Sequence, residues 1–218
     1  MNKKIQIVIM VLFFSLPVFS HYKWIIPETG ISGAEKGIMF RICCGHKFPE
    51  NELLLKREMI GSVYFVDHGV KKPVEILRKG KTWTGVVDAV PDSEYLIVFS
   101  LKKKLSKTPF FYGRAVVFPG KREADDEKLF SGQGLEIIPE DLFNKKMSDD
   151  LRIRILSDGK SVRSKLIVIP EGKKPVYLYS GKTNHYFLKL KYSGYYLLST
   201  FYKGKSTSLT FFIKENNK

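Results

Sequence analysis

Turn signals recur every eight to twelve residues along this chain, and the runs between them are short, β-branched and aromatic. That spacing is the mark of an all-β sandwich or barrel. Helical periodicity is scarce. The first series of strands reads Tyr22–Ile26, Gly37–Cys44, Ser62–Val66, Val74–Leu77, Thr82–Val87 and Glu94–Leu101, with Arg114–Phe118 after a loop. Val63 and Phe65 alternate with Tyr64 and Val66, which suits a strand buried on one face and partly covered on the other. A second series reads Leu135–Pro139, Leu151–Ile155, Lys165–Ile169, Val176–Tyr179, His185–Leu190, Tyr195–Tyr202 and Ser208–Ile213. Ser157-Asp158-Gly159-Lys160 is a hairpin turn, with Asp-Gly supplying the positive φ angles. Lys191-Tyr192-Ser193-Gly194-Tyr195-Tyr196 resembles the tyrosine corner of immunoglobulin-like sandwiches.

Between the two series the chain changes character. Lys121 to Lys128 carries seven charges in eight residues and cannot form a core strand, and glycines follow at 132 and 134. The expected organisation is therefore two immunoglobulin-like antiparallel β-sandwiches. One spans 21–120 and the other 135–218; 121–134 is a charged linker, and no sheet runs through both halves. Each sandwich must rest on its own apolar core. The only cysteines, Cys43 and Cys44, are adjacent, so no ordinary disulfide can staple the fold.

The first twenty residues read as a secretory signal. Lys3 and Lys4 are a positive n-region, Ile5 to Leu16 is the apolar stretch, Pro17 ends it, and Val18 and Ser20 stand at the −3 and −1 positions. The apolar stretch is too short for a membrane span of about 20 residues. No cysteine follows the cleavage point to carry a lipid. The expected product is periplasmic or otherwise exported, has no transmembrane segment, and begins at His21. The chain has 37 Lys and Arg against 22 Asp and Glu, a net charge of +15. Only eight of the cations are arginine, the residue suited to bidentate phosphate and base recognition, so nucleic acid is not the expected partner. The charge favours contact with anionic lipid or envelope polymers.

Cleavage before His21 has a chemical consequence. A free α-amine and an imidazole then sit on one residue and together can chelate a metal. Of the other histidines, His68 lies in an Asp-His-Gly turn and His185 at a strand start. His46 differs, because it follows Cys43-Cys44-Gly45 at a strand end. Alternation sends Cys44 and His46 to one face and Cys43 to the other. Thiolate and imidazole donors suit copper, nickel, cobalt or zinc, and Glu50 and Glu52 offer oxygen ligands or acceptors for a ligand's second nitrogen. The alternative reading makes both cysteines small buried hydrophobes and His46 an exposed strand end. The candidate metal set is His21, His46, Cys44 and Glu50.

Five collinear motifs carry a family resemblance. His21-Tyr22-Lys23-Trp24-Ile25-Ile26-Pro27 is similar to a His-x-x-Trp-apolar-x-Pro start, and Gly45-His46-Lys47-Phe48-Pro49 to a Gly-His-x-Phe-Pro motif. Ser106-Lys107-Thr108-Pro109, Leu135-Glu136-Ile137-Ile138-Pro139 and Leu156-Ser157-Asp158-Gly159-Lys160-Ser161-Val162 resemble its loop, junction and hairpin. The family is the periplasmic component of bacterial cobalt/nickel uptake systems. Ser161 stands where that family has proline, and the Cys43-Cys44 pair is outside its pattern. The resemblance implies a metal-ion ligand, nickel or cobalt, with copper also compatible with the donors, and a membrane metal transporter as partner.

Two classes of function follow. One is an exported protein for uptake or handling of nickel, cobalt or copper. The other is a non-catalytic envelope module that holds a glycan or a partner protein on a sandwich scaffold. A third reading, a copper-dependent polysaccharide oxidase, shares only the N-terminal histidine. The chain has no Ser/His/Asp set, no spaced carboxylate pair and no phosphate loop, so enzyme activity is not expected.

Overall fold

The computed structural model describes residues 21–28, 37–88, 95–102, 109–117, 130, 134–181 and 183–215. Residues 1–20, read from sequence as a secretory signal, and nearly all of the 121–134 stretch lie outside the described residues. The protein is all-β and contains two immunoglobulin-like sandwiches. In the first half, β1 (Tyr22–Pro27), β2 (Ile38–Gly45), β6 (Thr82–Val87) and β5 (Ile76–Lys79) form one sheet in the order β1-β2-β6-β5. It faces β4 (Val70–Pro73), β3 (Ile60–Asp67), β7 (Tyr95–Lys102) and β8 (Pro109–Val117), ordered β4-β3-β7-β8. The second half repeats the plan. β9 (Leu135–Glu140), β10 (Asp150–Ser157) and β14 (His185–Lys189) form one sheet, with β11 (Lys160–Ser161) closing the Asp158-Gly159 hairpin on β10. They face β13 (Val176–Tyr179), β12 (Lys165–Pro170), β15 (Gly194–Tyr202) and β16 (Lys205–Ile213). This is the strand order of immunoglobulin-type domains. The tyrosine corner is present. The Tyr196 hydroxyl donates to the Tyr192 carbonyl at 3.0 Å and accepts from the Tyr192 amide at 3.0 Å.

The halves are joined differently from the sequence expectation. The last strand of each half, β8 and β16, pair with one another in parallel, with Ser206 opposite Phe111 and Thr210 opposite Ala115. The result is one eight-stranded sheet, β13-β12-β15-β16-β8-β7-β3-β4, that runs through both sandwiches. Two smaller sheets pack on its opposite faces. The β1-β2-β6-β5 sheet sits over Tyr95, Ile97, Phe99, Phe111 and Ala115 on one face. The β9-β10-β14 sheet sits over Leu96, Val98, Val116, Leu209 and Phe211 on the opposite face. This explains why β7 reads as an almost unbroken apolar run and is buried along Tyr95–Leu101: both faces of the strand are covered.

Strand β1 is the seam. Its Ile25 packs into the first core, while Trp24 and Ile26 turn the other way, onto Ile169 and Leu197 of the second half. Two hydrogen bonds fix it there. Ser208 Oγ donates to the Lys23 carbonyl at 2.7 Å, and the Tyr195 hydroxyl donates to the Pro27 carbonyl. A fully buried ion pair ties the same junction from the other face. Arg114 of β8 reaches Glu136 Oε1 of β9 at 3.2 Å, and donates to the Leu135 carbonyl at 3.0 Å and to Thr207 Oγ1 of β16 at 2.7 Å.

Both cysteines are free and buried, on opposite faces of β2: Cys43 belongs to the seam and Cys44 to the first core. Adjacent strand residues cannot bridge without breaking the pairing of β2. Burial pushes the Cys43 thiol up to about 12 and raises that of Cys44. Neither is therefore a nucleophile in the folded state. The expected result is no reaction of either thiol with a disulfide reagent in the native protein and full reaction of both in denaturant. Rapid native labelling of Cys43 would mean that the seam opens locally, and of Cys44 that the first core does.

Candidate metal centre

The β1–β2 register puts Tyr22 opposite Gly45 and Lys23 opposite Cys44, so the next pair along is His21 and His46. Their rings lie with centroids 4.4 Å apart, tilted by 52°. The two histidines come from the start of one strand and the end of its neighbour, and both are exposed at the rim of the sheet.

The loop after β2 is built to hold His46. The Cys44 carbonyl accepts from the amides of Glu52 and Leu53, at 3.1 and 3.0 Å, so the chain folds back on the strand end. Asn51 Oδ1 accepts from the Cys44 amide at 2.7 Å, and its Nδ2 donates to the Lys81 carbonyl at 2.7 Å. Phe48 buries its ring edge-on against Trp24, centroids 5.7 Å apart, and Phe48-Pro49 is a cis peptide. Glu52 then returns to His46. Its Oε2 accepts from the His46 amide at 2.5 Å and lies 3.4 Å from the ring Nδ1. The His46 amide, followed by the Lys47 amide and nearby positive charge, holds the Glu52 carboxyl below the usual carboxylate range. Glycine at 45 is required by this approach, because a Cβ there would stand 2.6 Å from Glu52 Oε2.

Of the sequence-derived candidates, His21 and His46 are brought together. Cys44 is packed among Ile25, Phe40 and Ile42 in the first core, and its thiol is kept protonated by burial. It lies on the expected face, but at that position the face looks into the core. Glu50 is exposed on the loop, and the carboxylate that reaches His46 is Glu52. His68 occupies a β3–β4 turn with φ 46°, and His185 opens β14 within 3.7 Å of Glu140. Among the described residues no group of three or more His, Cys, Asp or Glu side chains is arranged to hold a metal ion. A metal at this rim would therefore need the His21 main-chain amine beside the two imidazoles. With Nδ1 of His46 facing Glu52, its Nε2 is the nitrogen left for a ligand, the usual division of labour for a metal-binding histidine. Deeper in the same strand pair, burial lowers the Lys23 ammonium, which lies 5.9 Å from the Phe111 ring centroid.

No family model matches the chain, and no curated protein matches it. Among solved structures it is similar to a two-domain fibronectin type III segment of chicken tenascin, at 11% identity and a TM-score of 0.27. That match covers 86% of this chain and 98% of the other. It is also similar to a tandem of titin Ig domains, at 10% identity and a TM-score of 0.27, covering 91% and 100%. No helix among the described residues is long and apolar enough to cross a membrane. The protein's own sheets define it as an all-β chain of two immunoglobulin-like sandwiches.

Proposed function

We propose that the chain is exported, matures with His21 at its N-terminus, and binds a divalent first-row transition metal through the His21 amine and imidazole and the His46 imidazole. The observation that carries this reading is the cross-strand His21–His46 pair, with ring centroids 4.4 Å apart and Glu52 backing one ring. The donor set fits the group. An amine and two imidazoles are borderline nitrogen donors, which favour nickel, cobalt or copper over magnesium or calcium. The sequence motifs favour nickel or cobalt, held as cargo for uptake through a membrane transporter, and the role is binding rather than catalysis. Glu52 is a positioning residue: it orients His46 and does not itself reach both rings.

The test is titration calorimetry with Ni(II), Co(II) and Cu(II) on protein whose N-terminus is verified by mass. Mature protein starting at His21 should bind one equivalent. His46→Ala and a form with one residue left ahead of His21 should each lose most of the affinity, because each removes a donor from a three-donor site. Glu52→Gln should weaken binding by about 10- to 100-fold, the usual cost of losing such a partner. His68→Ala and His185→Ala should bind as wild type. Affinity should fall on acidification, since the donors must lose protons to bind. Equal affinity for wild type, His46→Ala and the extended form would remove this reading.

A further inference from the structure

Among the described residues, the second sandwich leaves part of the shared sheet uncovered, next to β1. On the face that carries Ile169 and Leu197, those two residues are buried beneath Trp24 and Phe48. Further along the same strands the cover ends. Tyr179 is 71% exposed, Phe201 63% and Tyr177 49%. Register puts them in two rows. Lys165 pairs with Tyr179, and Leu166 pairs with Thr200, so Lys165 stands between Tyr179 and Phe201. In the next row Ile167 pairs with Tyr177 on one side and Ser199 on the other. The Lys165 ammonium lies 3.8 Å from the Tyr177 ring centroid. Tyr22 of β1 neighbours Tyr177 and continues the aromatic surface toward the seam.

These side chains are not needed for the core. The opposite face of the same strands supplies Leu166, Val168 and Leu198 to the main core cluster. Three large aromatics standing exposed on one sheet face is an arrangement that soluble proteins otherwise limit, because it invites association. Tyr179 and Phe201 are two strand spacings apart, about 10 Å, the span of about two sugar units in an extended chain. Stacked bases of a single-stranded nucleic acid lie much closer together. Tyrosine offers an apolar ring to a sugar face and a wet hydroxyl to its rim. The Lys165 ammonium between the rings supplies a compact positive charge for an anionic group such as a sugar carboxylate. A second copy of this chain is disfavoured by charge, since the net charge is +15.

We propose that the shelf formed by Tyr177, Tyr179, Phe201 and Lys165 binds an extended acidic polysaccharide, with uronate-type sugars stacked on the rings and a carboxylate on Lys165. This surface is independent of the His21–His46 reading.

The test is binding of the mature chain to polygalacturonate, with dextran as the neutral control, by calorimetry at two salt concentrations. Wild type should bind the polyuronate and not dextran. The double substitution Tyr179→Ala/Phe201→Ala should weaken binding by about tenfold or more, from two lost aromatic contacts. Its thermal midpoint should stay close to wild type, because both side chains are largely exposed. Lys165→Gln should weaken binding severalfold and flatten its salt dependence. His46→Ala should bind as wild type, which separates this surface from the metal site. Absence of polyuronate binding overturns the proposal. So does equal binding by the double variant, which would mean attraction by net charge alone. Stronger binding to phosphatidylglycerol vesicles or to single-stranded oligothymidylate, lost with the same substitutions, would also overturn it and assign the shelf to that partner.

Discussion

Arg114→Met should cost about 3–5 kcal/mol, the range found when one partner of a buried ion pair is removed. Arg114 and Glu136 are 2% and 1% exposed, so bulk water does not reach the carboxylate left behind. The guanidinium is not optional packing. Burial pushes its pKa down, and Glu136 is the first of the groups that hold its charge in place. The same side chain satisfies the Leu135 carbonyl and the Thr207 hydroxyl, so three strands, β8, β9 and β16, lose a shared partner together. A domain of this size is usually stable by only about 5–15 kcal/mol. The urea midpoint should therefore fall by a large fraction. Arg114→Lys keeps the charge but not the fork and should fall between. Pairing Arg114→Met with Glu136→Gln should recover part of the loss, because no buried charge then remains at the junction. A midpoint unchanged in Arg114→Met would mean that the junction is held by strand pairing alone.

Trp24→Ala should cost about as much, 3–5 kcal/mol by the usual cost of truncating a buried tryptophan. Trp24 has no exposed surface, and it is the largest of the fully buried side chains. It is also the residue by which β1 grips the second half, between Phe48, Ile169 and Leu197. A second effect follows from that position. His21 is three residues away, immediately ahead of β1, and Phe48 anchors the loop that carries His46. Trp24→Ala should thus weaken the proposed metal binding without removing either proposed histidine donor. Leu197→Ala, which opens the seam from the far side, should do the same to a lesser degree. If stability falls in both variants while metal affinity is unchanged, the rim does not depend on the seam.

Much of the fold was legible because local pattern and burial agree. Thr82–Val87 and Val176–Tyr179 occur as strands with the expected bounds, and the Asp158-Gly159 turn has φ 49° and 77°. The tyrosine corner needed only Gly194 and Tyr196 at the right distance. Three things were not legible. Strand β4, Val70-Lys71-Lys72-Pro73, is an exposed edge whose lysines and proline hide its periodicity, as edge protection does. The first residues of β8 look like a loop, because Pro109 and Gly113 are turn residues by habit. Pro109 is the strand's opening residue, where a missing donor does least harm, and the Phe99 ring lies over Gly113 where a Cβ would be. The β8–β16 pairing has no local signal at all, since its partners are far apart in sequence and parallel. At the rim, His21 and His46 could be matched from strand ends alone. The choice of Glu52 over Glu50 depends on how the chain folds back onto the Cys44 carbonyl, and no spacing rule reports that.

The parallel pair also sets an order of events. The Thr207 hydroxyl bonds the Tyr112 carbonyl across 95 residues of chain. A chain that emerges N-terminus first has β8 available long before β16 exists. Until then the first half keeps one raw strand edge and the back of β1 uncovered, and the contact that closes both is among the most distant in sequence. Such contacts form late and slowly. The protein is thus assembled with its middle last: a nascent chain cut short before residue 205 would be two unfinished sandwiches with open edges.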